Sequence, residues 1–187
     1  MLSREHQWTL EVQHSINALA RIVSSEAVLW TLHAKMKEAL ELASFSDFVD
    51  LEGHIPAVPI VPRELLVAKV QRFFEVNEVE DSLDRPRGEP YFLIDTEVGR
   101  ETADMSPGEA WMAFASIGRS PLTFTEAFNL RETQHILGVN QLLALGSFKA
   151  SALSGDIAIL TREARDRLNA DLPVQYRAGV PSFAAII

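Results

Sequence analysis

Asp95 and Arg119 are the residues whose type and position most directly suggest chemistry. Asp95 closes the short apolar run Tyr91-Phe92-Leu93-Ile94, and a carboxylate at the end of a buried strand is a common site of acid–base work in α/β enzymes. It could equally accept hydrogen bonds from backbone N–H groups of the following turn. Arg119 follows the expected C-terminus of a helix, where the macrodipole favours a cation. It could pair with Asp95 inside the fold, or grip a ligand carboxylate in a bidentate way. Ser120 and Ser147 complete the candidate ligand-binding set.

A serine nucleophile needs a neighbouring base and an oxyanion hole, usually announced by G-x-S-x-G, and no such elbow occurs. Ser147-Phe148-Lys149 is S-x-K rather than S-x-x-K, and Thr123 reads as a helix cap. The histidines are His6, His14, His33, His54 and His135; none forms H-E-x-x-H or pairs with another at i, i+4. His54, beside Gly53, is the most exposed-looking candidate for acid–base work, against the plainer reading of a loop histidine in water. The chain has no cysteine, so disulfides and thiolate ligands are excluded. Asn77 to Glu89 lacks the D-x-D-x-D-G spacing of a calcium loop, and neither a P-loop nor G-x-G-x-x-G occurs. No metal and no cofactor is expected.

The elements that must position these residues follow from periodicity. Trp8, Val12, Ile16, Leu19 and Val23 form one helical stripe. Ser24 and Ser25 can cap a second helix bearing Val28, Leu29, Leu32, Met36, Leu40 and Leu42, giving a helical hairpin over about 3–45. Prolines 56, 59 and 62 make Ile55 to Pro62 an edge strand or extended connector, with Pro62 as the first residue of a helix to about Val76. Asn77 to Glu89 reads as a loop and Tyr91 to Ile94 as a buried strand. Ser106-Pro107-Gly108-Glu109 is a capping box for a helix ended by Gly118. Thr123-x-x-Glu126 is a second box, opening a helix to about Leu137. Leu142–Leu145, Asp156–Leu160 and Val180–Ile186 look like strands, and Glu163–Asn169 like a short helix. The expected class is α+β, with the N-terminal hairpin packed on a small mixed or antiparallel sheet with two or three further helices. A length of 187 residues suits one domain, 1–187, with 1–50 as its helical subregion.

The net charge of −9 is unevenly placed: Glu78 to Glu109 holds ten acidic residues against three arginines, a local balance of −7. Such a field repels phosphate backbones and anionic lipid, so neither nucleic acid nor membrane is an expected partner. No apolar run approaches the roughly 18–20 residues that cross a bilayer, and Met1 to His6 turns polar at once; the expected location is the cytoplasm.

The residues Pro90-Tyr91, Asp95, Gly99, Pro107, Glu109-Ala110, Gly118-Arg119-Ser120-Pro121-Leu122-Thr123 and Leu145-Gly146-Ser147 resemble an uncharacterised, chiefly actinobacterial family. Its members pair a P-Y-x-x-x-D-x-x-T-G strand with a G-R-S-P-L-T turn and a later L-G-S segment. The likeness covers about 55–147. Thr96-Glu97-Val98-Gly99 departs from the family's D-T-G ending, and its tryptophan- and glycine-rich C-terminal portion is not recognisable in Asp156 to Ile187. The resemblance implies a bacterial origin and no particular chemistry.

The functional expectation is therefore a non-catalytic domain that binds a small ligand or a partner protein. The hairpin 3–45 and the apolar 180–187 would be its association surfaces, in a homodimer or with another protein. A small-molecule enzyme with Asp95 and Arg119 in one pocket is the alternative. A helix-turn-helix over 126–147, turning at Gly138-Val139, is a third reading; its second helix would offer only Gln141 and Lys149 for polar contacts, where operator binding needs several cationic ones.

Overall fold

In a computed structural model of the protein the stripe from Trp8 to Leu19 is the buried face of α1 (Arg4–Ala18) and of the 3-10 turn Leu19–Arg21. The structure describes residues 3–46, 53–76, 79–81, 83–97, 102, 105–133, 141–149, 157–161 and 184–186. The Ser25 hydroxyl accepts from Ala27 N and opens α2 (Glu26–Ala43), which buries Val28 and Leu32 against α1 and the sheet. Leu42, expected on the inner face, is exposed. The hairpin's apolar stripe is thus spent inside the fold, against β1 (His54–Ile60) and the strand that follows it in the sheet.

That sheet has the order β1-β3-β7-β4, built from β1, β3 (Tyr91–Glu97), β7 (Ala184–Ile186) and β4 (Ser120–Pro121), all antiparallel. β1 lies at an edge, as its prolines require, because an edge strand needs only half its N–H groups for the ladder. The C-terminal strand is not an edge: Ile186 pairs with Ile94, and Ala184 with both Glu97 and Pro121, so both its sides are occupied. The backbone edges of the described residues of 180–187 are therefore occupied within the chain, while the hairpin, its inner stripe buried, keeps Leu10, Trp30, Leu42 and Phe45 exposed.

Three more expectations need correction. Pro62 does not start a long helix: Arg63–Leu65 is a 3-10 turn, Leu66 bridges to Val23, and α3 begins only at Ala68, ending at Val76. Leu66 is fully buried in extended conformation, and that pairing outweighs helix propagation through it. The acidic loop contains a strand, β2 (Val79–Asp81), paired with β5 (Gln141–Lys149). β5 occupies the second helix of the helix-turn-helix reading, so that motif is not formed; the run Leu142–Leu145 pairs instead with β6 (Ile157–Thr161), giving a second sheet of order β2-β5-β6. The expected helix 163–169 lies outside the described residues.

Between the two sheets runs α5 (Phe124–Thr133), which contacts β1 on one side and β2, β5 and β6 on the other. Phe124 and Phe128 from α5 interlock with Phe73 and Phe74 from α3 at centroid distances of 5.6 to 6.5 Å. Burying each such ring is worth about 1.5–3 kcal/mol, so this cluster is the hub of the core. The fold is α+β. Among the described residues no helix is long and apolar enough to cross a membrane.

Candidate functional site

Helix α4 (Pro107–Ser116) delivers Arg119. Its end has the two hydrogen bonds of a Schellman motif, Gly118 N to Ala115 O at 3.2 Å and Arg119 N to Phe114 O at 2.9 Å, with Gly118 at φ +70°. A side chain bearing Cβ would be strained at that φ, so glycine is what permits the reversal. Arg119, next in the chain, then reaches β3: one nitrogen donates to the Asp95 carbonyl and Nη2 lies 2.5 Å from Oδ2 of the Asp95 carboxylate.

Asp95 is presented by an irregularity in its strand. Ile94 and Glu97 of β3 face Ile186 and Ala184 of β7, so one extra residue sits on β3, and Asp95 has φ +50°. It is the one non-glycine residue with positive φ among the described residues; bulges of this kind re-aim a side chain. The carboxylate is fully buried and takes three side-chain partners: Arg119, the Ser46 hydroxyl on Oδ2, and His54 Nδ1 on Oδ1 at 2.6 Å. The strand thus does not end at Asp95, nor is the side chain capping a following turn. His54 is not a water-facing loop residue; it begins β1, its side chain is 10% exposed, and Arg119 Nη2 lies 3.5 Å from its Nδ1. The Asp95 carboxylate can only accept, so this contact requires a proton on His54 Nδ1.

Ser120 and Ser147 join different groups. At the start of α5 the Thr123/Glu126 pair closes a capping box, with Thr123 N donating to Glu126 Oε2 at 2.7 Å and Glu126 N to the Thr123 hydroxyl at 3.2 Å. Glu126 is fully buried, and its other oxygen accepts from Arg85 Nε at 2.8 Å and the Tyr91 hydroxyl at 2.9 Å. Burial first, and then the Glu126 carboxylate, push the Tyr91 phenol well above its ordinary value of 10.0. Arg85 Nη2 also donates to the Ser120 hydroxyl at 2.9 Å and the Pro121 carbonyl at 3.0 Å.

Ser147 lies opposite Asp81 in the β2–β5 ladder and donates to its carboxylate, while accepting from Phe124 N at 2.7 Å. The other Asp81 oxygen takes the Thr125 hydroxyl at 2.6 Å. Two carboxylates therefore sit at the N-terminus of α5, where the helix dipole favours negative charge. Deeper in α5, the Asn129 amide accepts from Val61 N at 3.0 Å and donates to Val61 O at 3.1 Å, extending the strand's pairing by one side chain. The Gly118–Thr123 turn and the Leu145–Ser147 segment meet here, Gly146 N donating to Leu122 O at 3.0 Å.

Asp95 and Arg119 are thus together, while Ser120 and Ser147 belong to the α5 network. Ser46, His54, Asp81, Arg85 and Glu126 were not assigned to these clusters from sequence, and only the Thr-x-x-Glu spacing could have pointed to one of them. Among the described residues no group of three or more acidic or histidine side chains could hold a metal ion. Thr96 Oγ1, next to Asp95, is buried with no hydrogen-bond partner.

A third feature lies on the outside of α4. Ala110 and Phe114 face inward, whereas Gly108, Trp111, Met112 and Ala115, at i, i+3, i+4 and i+7, are exposed, Trp111 to 40% and Met112 to 74%. A Cβ added at Gly108 would meet no atom within 4 Å. A helix apolar all round is normally enclosed; this one is enclosed on one side. No family model, no curated protein and no solved structure matches this chain.

Proposed function

We propose that the protein is a non-catalytic domain that binds a partner protein through the outward face of α4. The observation that carries this reading is the uncovered stripe of Gly108, Trp111, Met112 and Ala115, since contiguous exposed apolar surface marks interaction sites. The charged residues support it from the other side. Asp95, Glu126 and Asp81 spend their oxygens on groups of the same chain that fasten strands and helix ends together. A photo-crosslinking side chain at position 112, expressed in the native host, should give one discrete adduct that can be rebuilt from the two purified proteins and is lost with Trp111→Glu. The same adduct pattern from position 37, whose lysine is exposed on α2, would overturn the reading.

The His54–Asp95 contact of 2.6 Å supports a second reading, a small-molecule enzyme in which Asp95 orients His54 as a base and Arg119 balances the charge. Asp95→Asn separates the two. A structural carboxylate costs stability when lost, whereas an active-site one is often neutral or stabilising to remove.

A further inference from the structure

We infer that the segment received by α4 is amphipathic and basic: apolar on the side that meets Trp111 and Met112, with lysine or arginine beside it. This rests on the docking reading above and names the partner's chemistry. The i, i+3, i+4, i+7 spacing of the open stripe is the pattern by which one helix lies along another. Its ends, Gly108 and Ala115, are small and its middle is large, so a crossing segment can come close at either end. Charge then selects the occupant. Along the chain α4 is led by Glu97, Arg100, Glu101 and Asp104, with Glu109 exposed in its first turn, inside the stretch that carries seven net negative charges between 78 and 109. Within that stretch Asp95 and Glu89 are paired with Arg119 and Lys35 from outside it. A cationic flank gains from that field, and like-charge juxtaposition suppresses an acidic one. A second copy of this chain, at net charge −9, would bring the same acidic stretch against itself. An anionic membrane surface is repelled for the same reason.

The test uses the full chain and two labelled helical peptides of about 18 residues, roughly five turns, with identical leucine positions and either lysine or glutamate elsewhere. Fluorescence anisotropy should show the lysine peptide binding and the glutamate peptide not. Met112→Glu should weaken the lysine peptide at least about tenfold, a loss of roughly 1.4 kcal/mol. That substitution adds negative charge, so attachment by charge alone would tighten instead, and tightening or no change overturns the inference. Met112→Leu should bind as the parent does, which controls for folding. Equal binding of both peptides, lost with Met112→Glu, would overturn the basic partner and leave the docking face standing. Failure of both peptides would overturn the inference, leaving the crosslink at 112 to decide the face. Self-association that Met112→Glu removes, seen by sedimentation, would make the occupant a second copy and overturn it too.

Discussion

Helices α4 and α5 are ten residues long each and open with the same four-residue signal, Ser106-x-x-Glu109 and Thr123-x-x-Glu126, yet their fates are opposite. The more apolar of the two, α4, lies at the periphery with Trp111 and Met112 in solvent. The more polar, α5, is buried from Phe124 through Leu130 between two sheets, with Thr125, Glu126 and Asn129 all bonded. A polar side chain can be enclosed when each of its donors and acceptors is met. An apolar helix face, by contrast, stays outside only at a cost in exposed surface. The first arrangement explains how the core is held; the second invites a functional account.

The largest test of that contrast is to remove one carboxylate from each helix start. Glu126→Ala removes the carboxylate that Arg85 Nε and the Tyr91 hydroxyl share in a part-buried site, and breaking such a pair costs about 3–5 kcal/mol, read as the shift in a urea midpoint. Glu109→Ala at the exposed box should cost a small fraction of that, and equal losses would erase the distinction. Arg119→Met, which severs the link from the end of α4 to β3, should also cost about 3–5 kcal/mol. Arg119→Lys should recover little of it in the same urea titration, because an ammonium lacks the planar fork that meets the carbonyl and the carboxylate from two separate nitrogens.

Next in size is Gly146→Ala. Its Cβ would lie 2.8 Å from Leu83 Cδ1 and 3.0 Å from the Leu122 carbonyl oxygen, and overpacking of this kind costs about 1–3 kcal/mol, measurable by thermal melting. pH sharpens the comparison further. Folded Tyr91 keeps its proton above the ordinary value of 10.0 while the unfolded phenol loses it, so the unfolded state binds fewer protons there and stability falls as pH rises. Tyr91→Phe cannot show that fall, so its stability gap to the parent should narrow above pH 10.0. At the exposed box, hydrogen bonds from the Ser106 hydroxyl and then its backbone N–H hold the Glu109 carboxyl below its ordinary value of 4.5. The contribution is present above that value and is lost as pH falls through the lowered one. Smallest of all, Met112→Glu should change stability by no more than about 0.5 kcal/mol; a large loss would mean that α4's outer face is structural.

Much of the local architecture was legible beforehand. Ser25, the Ser106/Glu109 box and the Thr123/Glu126 box each satisfy N–H groups within three residues of themselves, so their physics is contained in a short window. The stripe of α1 and the proline-marked β1 were readable for the same reason. Of the candidate site, the pairing of Asp95 with Arg119 was readable as one of two roles for the arginine. The place of His54 was not, because 41 residues separate it from Asp95 and no spacing rule links them. The neighbours of Ser147 were not readable either, because its partner Asp81, 66 residues away, comes beside it only through the β2–β5 register.

By itself, then, the sequence determined where α2, α4 and α5 start and where α4 stops, the apolar face of α1, the edge character of β1 and the acidity of the stretch that leads into α4. Each of these rests on interactions within a few residues or on composition. Tertiary structure alone decided that β7 fills the space between β3 and β4, that α5 rather than α4 occupies the centre, and that Asp95 turns inward at a bulge to meet Ser46, His54 and Arg119. Those outcomes depend on strand register and on the mutual satisfaction of buried polar groups, and both exist only once distant segments have been brought together.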